Sequence, residues 1–319
     1  MKNVELKEKN LMRYITLGQD DKELSEIVLG MMRIKDKSVK EVEELVETAL
    51  SVGINAFDLA DIYGRGRCEE LLGIVLKNRP DLREKMWIQS KCGIRIEEFT
   101  YFDFSKDYII KSVDGILQRL KIDHLDSLLL HRPDALMESD QVAEAFDLLY
   151  KQGKVRDFGV SNQNPMMMEL LKKDVKQPLA VNQLQLSAAF TPGFESGFHV
   201  NMEDSQAAMR DGSIFEYCKL HDVVIQAWSV LQFGYFKGNF VGNEKFLALN
   251  QVLDRLAFKY GVTPSTIAIS WILRYPAKMQ AVVGTTNPKH LREVSQATNF
   301  SLTRKEWYEI YLAAGNNLP

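Results

Sequence analysis

From Glu26 to Ala297 the chain alternates short apolar runs with longer amphipathic stretches. The runs SEIVLGM, NAFDLA, KMWIQSK, HLDSLLLHR, VRDFGVSN, LAVNQLQ, VVIQAWS and MQAVVGT read as strands. Each is nearly continuous in its apolar character, the pattern of parallel strands covered by helices. Between and after them, segments 38–53, 68–78, 106–122, 140–154, 164–173, 211–221, 246–261 and 287–297 carry helical spacing. Ser38 reads as the N-cap of the first helix and Gly53 as its stop. Pro80 ends the second. Three pieces fall outside the repeat. Residues 14–24 read as a hairpin around Gln19, Asp20 and Asp21, 263–276 as an extra helix with Pro264 in its first turn, and 303–315 as a terminal helix. Residues 92–104 and 186–211 read as long irregular segments.

Alternating strands and helices leave an open doubly wound sheet or a closed barrel. Eight units in a chain of 319 residues favour the barrel. The expectation is a single (β/α)8 TIM barrel domain over residues 1–319, with an N-terminal β-hairpin and extra C-terminal helices.

Composition narrows the class. The chain is 45% hydrophobic and 26% charged, with a formal net charge of −3. Nucleic-acid and membrane surfaces want a basic excess, so neither partner is expected. The start lacks the apolar stretch of a secretory signal, and no run approaches the ~20 residues of a membrane span. Cys68, Cys92 and Cys218 match no metal or redox spacing. They read as packing residues of a cytoplasmic protein. The oligomeric state is not legible.

In such a barrel, functional residues gather at the C-terminal ends of the strands and in the loops that follow. Strand two ends in Asp58 and leads to Tyr63. Strand three ends in Lys91, strand four in His131, strand five in Ser161 and Asn162, and strand six in Gln183. Strand seven ends in Trp228 and Ser229, strand eight in Gly284, Thr285 and Thr286. Singly, each has a plainer reading: an Asp as a turn former, a Tyr or Trp as packing, a Lys as a surface amine, a His as a structural residue. Four titratable residues at the ends of three adjacent strands, all facing one mouth, point to chemistry.

The segment FDLADIYG, from Phe57 to Gly64, resembles the signature of the aldo-keto reductases. QSKCG supplies the Lys and LLLHRPD the His of that pattern. GVSN, NQLQ, QAWSVLQFG and VVGTTNPKHLREV follow in the family's order, so the resemblance runs from Met12 to about Leu312. The loop HVNMEDSQAAMRDG resembles a bacterial oxidoreductase branch of the family. The resemblance implies an NAD(P)H-dependent enzyme that reduces an aldehyde or ketone to an alcohol.

In that reading Tyr63 donates the proton and Lys91 lowers its pKa. Asp58 orients Lys91, and His131 polarises the carbonyl. Ser161, Asn162 and Gln183 hold the nicotinamide carboxamide, and Trp228 stacks on the ring. Ser229 and Leu231 lie near the pyrophosphate, and Gly30 and Met31 pass under the ribose. Gly284, Thr285 and Thr286 precede a helix N-terminus suited to phosphate. His290 and Glu293 complete the cofactor set.

NADPH is the expected cofactor, with NADH second. Gly284 and His290 stand where many members carry a Lys and an Arg for the 2′-phosphate, and Lys289 and Arg292 are the nearby substitutes. Val294 stands where an Asn often meets the adenine. The chain's early stop at Pro319 leaves the substrate wall to the two irregular segments, with Phe99, Tyr101, Phe102, Phe190, Phe194 and Phe198. The rival enzyme classes lack their marks. A metal-dependent hydrolase needs clustered His and carboxylates, and a glycosidase needs a second carboxylate opposite Asp58. A cofactor-binding, redox-sensing or regulatory subunit with slow turnover is the alternative that keeps every motif.

Overall fold

A computed structural model describes residues 12–18, 22–98, 100–194, 213–234 and 236–316. Its centre is a closed barrel of eight parallel strands: β3 (Ile27–Gly30), β4 (Ala56–Asp58), β5 (Trp87–Cys92), β8 (Leu125–Leu130), β9 (Val155–Ser161), β10 (Leu179–Gln185), β11 (Val224–Trp228) and β12 (Met279–Val283), which closes back on β3. These are the eight runs expected from the sequence. A hairpin, β1 (Tyr14–Leu17) with β2 (Lys22–Ser25), precedes them. The turn residues Gln19, Asp20 and Asp21 lie outside the described residues.

The helices start where the sequence supplies caps. Ser38 caps α1 (Val39–Ser51) in a reciprocal box with Glu41, and Gly53, at φ +86°, leaves it in the left-handed region that glycine tolerates. α2 (Arg67–Asn78) is followed by α3 (Pro80–Arg83), a short helix begun by the proline that ends its predecessor. Then come α4 (Lys106–Leu120), α5 (Ser139–Lys151), α6 (Pro165–Lys172) and α7 (Ile214–Leu220). α8 (Leu247–Tyr260) stops at Gly261. α9 (Pro264–Leu273), the extra helix, is buried along its whole length from Thr266 onward, which explains its lack of a polar face. α10 (Pro288–Ser295) begins after the N-cap Asn287, and α11 (Arg304–Ala313) after a capping box of Thr303 and Glu306.

One segment departs from expectation. Residues 92–104 are not irregular but carry a second hairpin, β6 (Ile94–Ile96) with β7 (Thr100–Phe102), standing outside the barrel.

The apolar residues form two clusters. The larger lies between strands and helices and includes Ile27, Leu29, Phe57, Ile88, Leu128 and Leu130. The smaller fills the barrel with Val28, Ala56, Trp87, Val181, Val224 and Val282, joined by Leu17 and Leu24 of the hairpin. Sequence positions alternate between the clusters, so inward-facing residues recur at every second position. That period carries Asp58, Gln89, Lys91, Gln183, Gln226 and Gln280 inward as well, and all are buried. Among the described residues no helix is long and apolar enough to cross a membrane.

Candidate active site

Asp58 ends β4 and Lys91 lies near the end of β5, the next strand round the barrel. Lys91 is wholly buried. Its ammonium donates to Asp58 Oδ2 at 2.8 Å, to the Leu59 carbonyl at 2.8 Å and to Tyr63 Oη at 3.1 Å. Those three partners match its three N–H groups. Because Tyr63 Oη accepts from an ammonium, its own hydrogen remains to be donated elsewhere.

Tyr63 opens a tight turn in which Gly64 (φ +58°) and Arg65 (φ +55°) are both left-handed. A Cβ on Gly64 would come within 2.8 Å of Lys35 Cβ, so both the turn and the packing demand glycine. The Tyr63 ring meets His131 edge to face at 5.8 Å. His131 follows β8, its backbone N–H donating to the Cys92 carbonyl at 2.9 Å, and its buried Nδ1 has no protein partner.

Burial decides the protonation states. It pushes the Tyr63 phenol above its ordinary value, and the pull of Lys91 in the other direction only partly offsets it. Lys91 lowers the Tyr63 pKa as expected, but desolvation is the larger effect and the phenol stays above its ordinary value. For Lys91, burial opposes the charge, but Asp58 and Tyr63 together hold the ammonium above its usual range. Burial first, then the charges of Lys91 and Arg132, drives His131 well below the usual imidazole value. At neutral pH the cluster therefore presents a protonated phenol, a charged ammonium and a neutral imidazole.

The cluster opens into a cavity of about 770 Å³, within the size range of ligand sites. Asp58, Tyr63 and His131 line it. So do Gly30, Ser161, Asn162, Gln183, Trp228, Ser229, Leu231, Gly284, Thr285, His290 and Glu293 of the expected cofactor set. Met31 and Thr286 do not; the Met31 side chain is buried in the outer apolar cluster. Nor do Lys289 and Arg292. Lys289 reaches Glu293 at 3.9 Å, and Arg292 reaches Thr48 Oγ1 at 3.5 Å, leaving His290 as the cavity-lining basic side chain among those considered for the 2′-phosphate. Val294 also lines the cavity, as do Arg132 and Arg33, which the sequence reading did not single out.

The cavity wall offers the amide, hydroxyl and aromatic groups that a dinucleotide needs. Asn162 (φ +56°) and Ser229 (φ +54°) hold left-handed backbone at its wall, a strain seen where side chains must be aimed. Ser161 Oγ donates to the Gln183 carbonyl at 3.0 Å, and Asn162 Nδ2 donates to Ser161 Oγ at 2.8 Å, so these amide and hydroxyl groups are held in place. At the far end, a Cβ on Gly284 would meet nothing within 4 Å, open space just before the N-terminus of α10.

A second cavity of about 870 Å³ adjoins the first and shares Ile62, Ile94, Arg132, Asn162 and Trp228 with it. Phe102 and Phe190 line it, as expected of a substrate wall. Phe194 instead packs its loop down, stacked on Phe215 at 4.7 Å, and Tyr101 lies beneath Arg95. Phe99, Phe198 and the segment HVNMEDSQAAMRDG lie outside the described residues. Cys68, Cys92 and Cys218 are buried, and burial raises each thiol, the first to about 11 and the last to about 12. Burial and a raised pKa are the setting of packing cysteines.

Comparison with known proteins agrees with this geometry. The family model "Aldo/keto reductase family" matches residues 26–312. The chain is 34% identical over 306 residues to "6-dehydroglucose reductase" of Agrobacterium fabrum, covering 92% of this chain and 96% of that one. It is 34% identical over 318 residues to "Oxidoreductase YdhF" of Escherichia coli, covering 97% of this chain and 100% of that one. A crystal structure of an aldo-keto reductase from Klebsiella pneumoniae, in complex with NADPH, shares the fold at a TM-score of 0.74 and 20% identity, covering 94% of both chains. The chain belongs to the aldo/keto reductase family, and with it to the NAD(P)H-dependent oxidoreductases.

Proposed function

We propose that this protein, acting as one barrel domain in the cytoplasm, reduces an aldehyde or ketone to an alcohol with NADPH, and that Tyr63 is the proton donor. The observation that carries the reading is the arrangement around Lys91: three donated hydrogen bonds that leave the Tyr63 hydrogen free beside His131 at the cavity wall. The bound nicotinamide supplies the hydride.

The chain's own residues do the rest. Neutral His131 donates a hydrogen bond to the carbonyl oxygen and polarises it without adding a charge. As negative charge grows on that oxygen, the Tyr63 phenol gives up its proton. Lys91 then stabilises the phenolate left behind, a stabilisation that is strong because the ammonium is dry. Asp58 keeps Lys91 charged. Ser161, Asn162 and Gln183 would hold the carboxamide, and Trp228 would stack on the ring. Ser229, Leu231, Gly284, Thr285 and the first turn of α10 would meet the phosphates. His290 would meet the 2′-phosphate.

The test is oxidation of NADPH and of NADH against aldehydes, ketones and quinones, including 6-dehydroglucose because one relative carries that name. Tyr63→Phe is expected to lower kcat by at least about 10²-fold while the Kd for NADPH stays within twofold. Retained turnover in the variant would remove Tyr63 from its role. Tight cofactor binding with no turnover by the wild type would favour the redox-sensing alternative.

A further inference from the structure

The barrel interior holds a chain of buried amides of which the chemistry above uses only Gln183. Gln183, Gln226 and Gln280 are direct neighbours across β10, β11 and β12. Gln280 Nε2 donates to the Ser25 carbonyl at 2.9 Å, next to the hairpin. Gln226 Nε2 donates to Gln280 Oε1 at 2.8 Å. Gln226 Oε1 then accepts from both Gln183 Nε2 at 3.0 Å and Gln89 Nε2 at 2.7 Å. Each of those two nitrogens also donates to Asp58 Oδ1, at 3.1 and 2.7 Å.

Both ends of the chain can only accept. The Ser25 carbonyl has no hydrogen to give, and Asp58 as a carboxylate has none either. A carbonyl at the base obliges Gln280 to present its amide nitrogen there, so its oxygen faces Gln226. Gln226 must then donate to Gln280 and turn its own oxygen toward Gln183 and Gln89. Reversing any one amide would set two donors or two acceptors face to face in a dry interior, which costs about a hydrogen bond. The orientation is therefore propagated from the floor of the barrel to its mouth.

We infer that Gln226, held by Gln280, is a positioning residue: it consumes both hydrogens of the Gln183 amide together with Asp58, so that Gln183 offers the cavity an acceptor and never a donor. This rests on the proposed use of Gln183 to hold the nicotinamide carboxamide. An acceptor there selects the N–H side of the carboxamide and so fixes which way the ring is turned. The same bonds hold Asp58 against Lys91. Gln226 and Gln280 are both wholly buried, so neither touches cofactor or substrate.

The experiment compares binding of NADP⁺ with binding of its 3-acetylpyridine analogue, which keeps the carbonyl but lacks the amide N–H. Quenching of protein fluorescence reports both Kd values without turnover. Wild type is expected to prefer NADP⁺ on the order of tenfold, the worth of one hydrogen bond in a dry site. In Gln226→Met the Gln183 amide loses one of its two anchors and keeps only the 3.1 Å bond to Asp58, and the preference is expected to fall below threefold. Val224→Ala, a core truncation one turn of the pleat below, is expected to lower Tm and leave the preference intact. If Gln226→Met does not fold, Gln280→Met breaks the same chain one link further down and is expected to act in the same direction.

A wild type that binds both dinucleotides equally would overturn the proposal, and so would a folded Gln226→Met with the wild-type preference. Tyr63→Phe is assayed alongside. Retained turnover there would count against the proposed function itself, whereas an inactive Tyr63→Phe with an unaltered Gln226→Met would defeat the inference alone.

Discussion

Two buried aspartates lie toward opposite ends of the barrel and meet very different company. Asp58, at the mouth, has 3% of its side chain exposed and pairs with Lys91, whose side chain is 0% exposed. Asp126, toward the floor, is as deeply buried at 2%. It accepts from the Ile88 backbone at 2.8 Å and is ringed by Arg83 at 2.9 Å, Lys22 at 3.2 Å and Arg156 at 3.5 Å. Those cations keep 19 to 44% of their side chains in water. Hydrated partners can shift and exchange, so Asp126 works as a clamp that ties hairpin, α3 and barrel together. A dry partner cannot shift, so the Asp58–Lys91 pair keeps a fixed charge in a fixed direction. This is the usual division in such barrels, chemistry at the C-terminal face and stability at the other.

Lys91→Met tests the mouth most severely. It is expected to cut kcat by at least about 10²-fold and, by leaving Asp58 as an unpaired buried charge, to cost about 3–5 kcal/mol of stability. Steady-state rates and urea unfolding report both, and a variant with a tenth of wild-type activity would break the assignment. Asp126→Asn is the matching change at the floor. A loss of about 1–3 kcal/mol is expected from the weakened bonds, with kcat and the NADPH Kd within twofold. A tenfold kinetic effect there would erase the distinction between the two ends.

The smallest effect concerns Asp61, which follows Asp58 at the mouth and has a buried Oδ1 with no hydrogen-bond partner. Burial, then the nearby Glu69 carboxylate, raises its pKa from 3.8 to about 7. The folded state thus holds a proton that the unfolded state has released between those values. Stability falls as pH rises through that window and levels off above about pH 7. Asp61→Asn is expected to raise Tm at pH 8 and to leave it unchanged near pH 4. Equal shifts at the two values, measured calorimetrically, would show that Asp61 stores no such penalty.

Much of the mouth was legible in the sequence. Asp58, Lys91 and His131 sit where apolar strands end, and Tyr63 follows within a family motif, so position along the chain was enough. The floor and the interior were not. Reading the strands as uninterrupted apolar runs hid the polar residues inside them: IQS, NQL, IQA and MQA each carry a glutamine on the inward row. A period of two, applied strand by strand, would have lined those glutamines up. Asp126 was hidden because its partners come from β2, α3 and β9, separated by long stretches of chain. The β6–β7 hairpin was missed because Gly93 and a run of mixed polar residues mask its pairing of Ile94 with Phe102. Lys289 and Arg292 were credible phosphate partners by number alone, and helical rotation turns them off the cavity.

That hairpin has an architectural consequence. Its strands pair with each other and with no barrel strand, yet Ile94, Ile96, Thr100 and Phe102 make one wall of the second cavity. It is docked at its base by the bond from the Asp103 N–H to the Gly93 carbonyl and by the Phe104 N–H on Asp134. A segment closed on itself, held at its base and by the Tyr108 hydroxyl of α4 donating to the Ile94 carbonyl at 3.2 Å, can be swapped for a longer, shorter or differently lined one without cutting a single barrel ladder. Laboratory grafting of hairpins from related barrels should therefore alter which carbonyl compounds are accepted while the proton-transfer machinery beneath stays as it is.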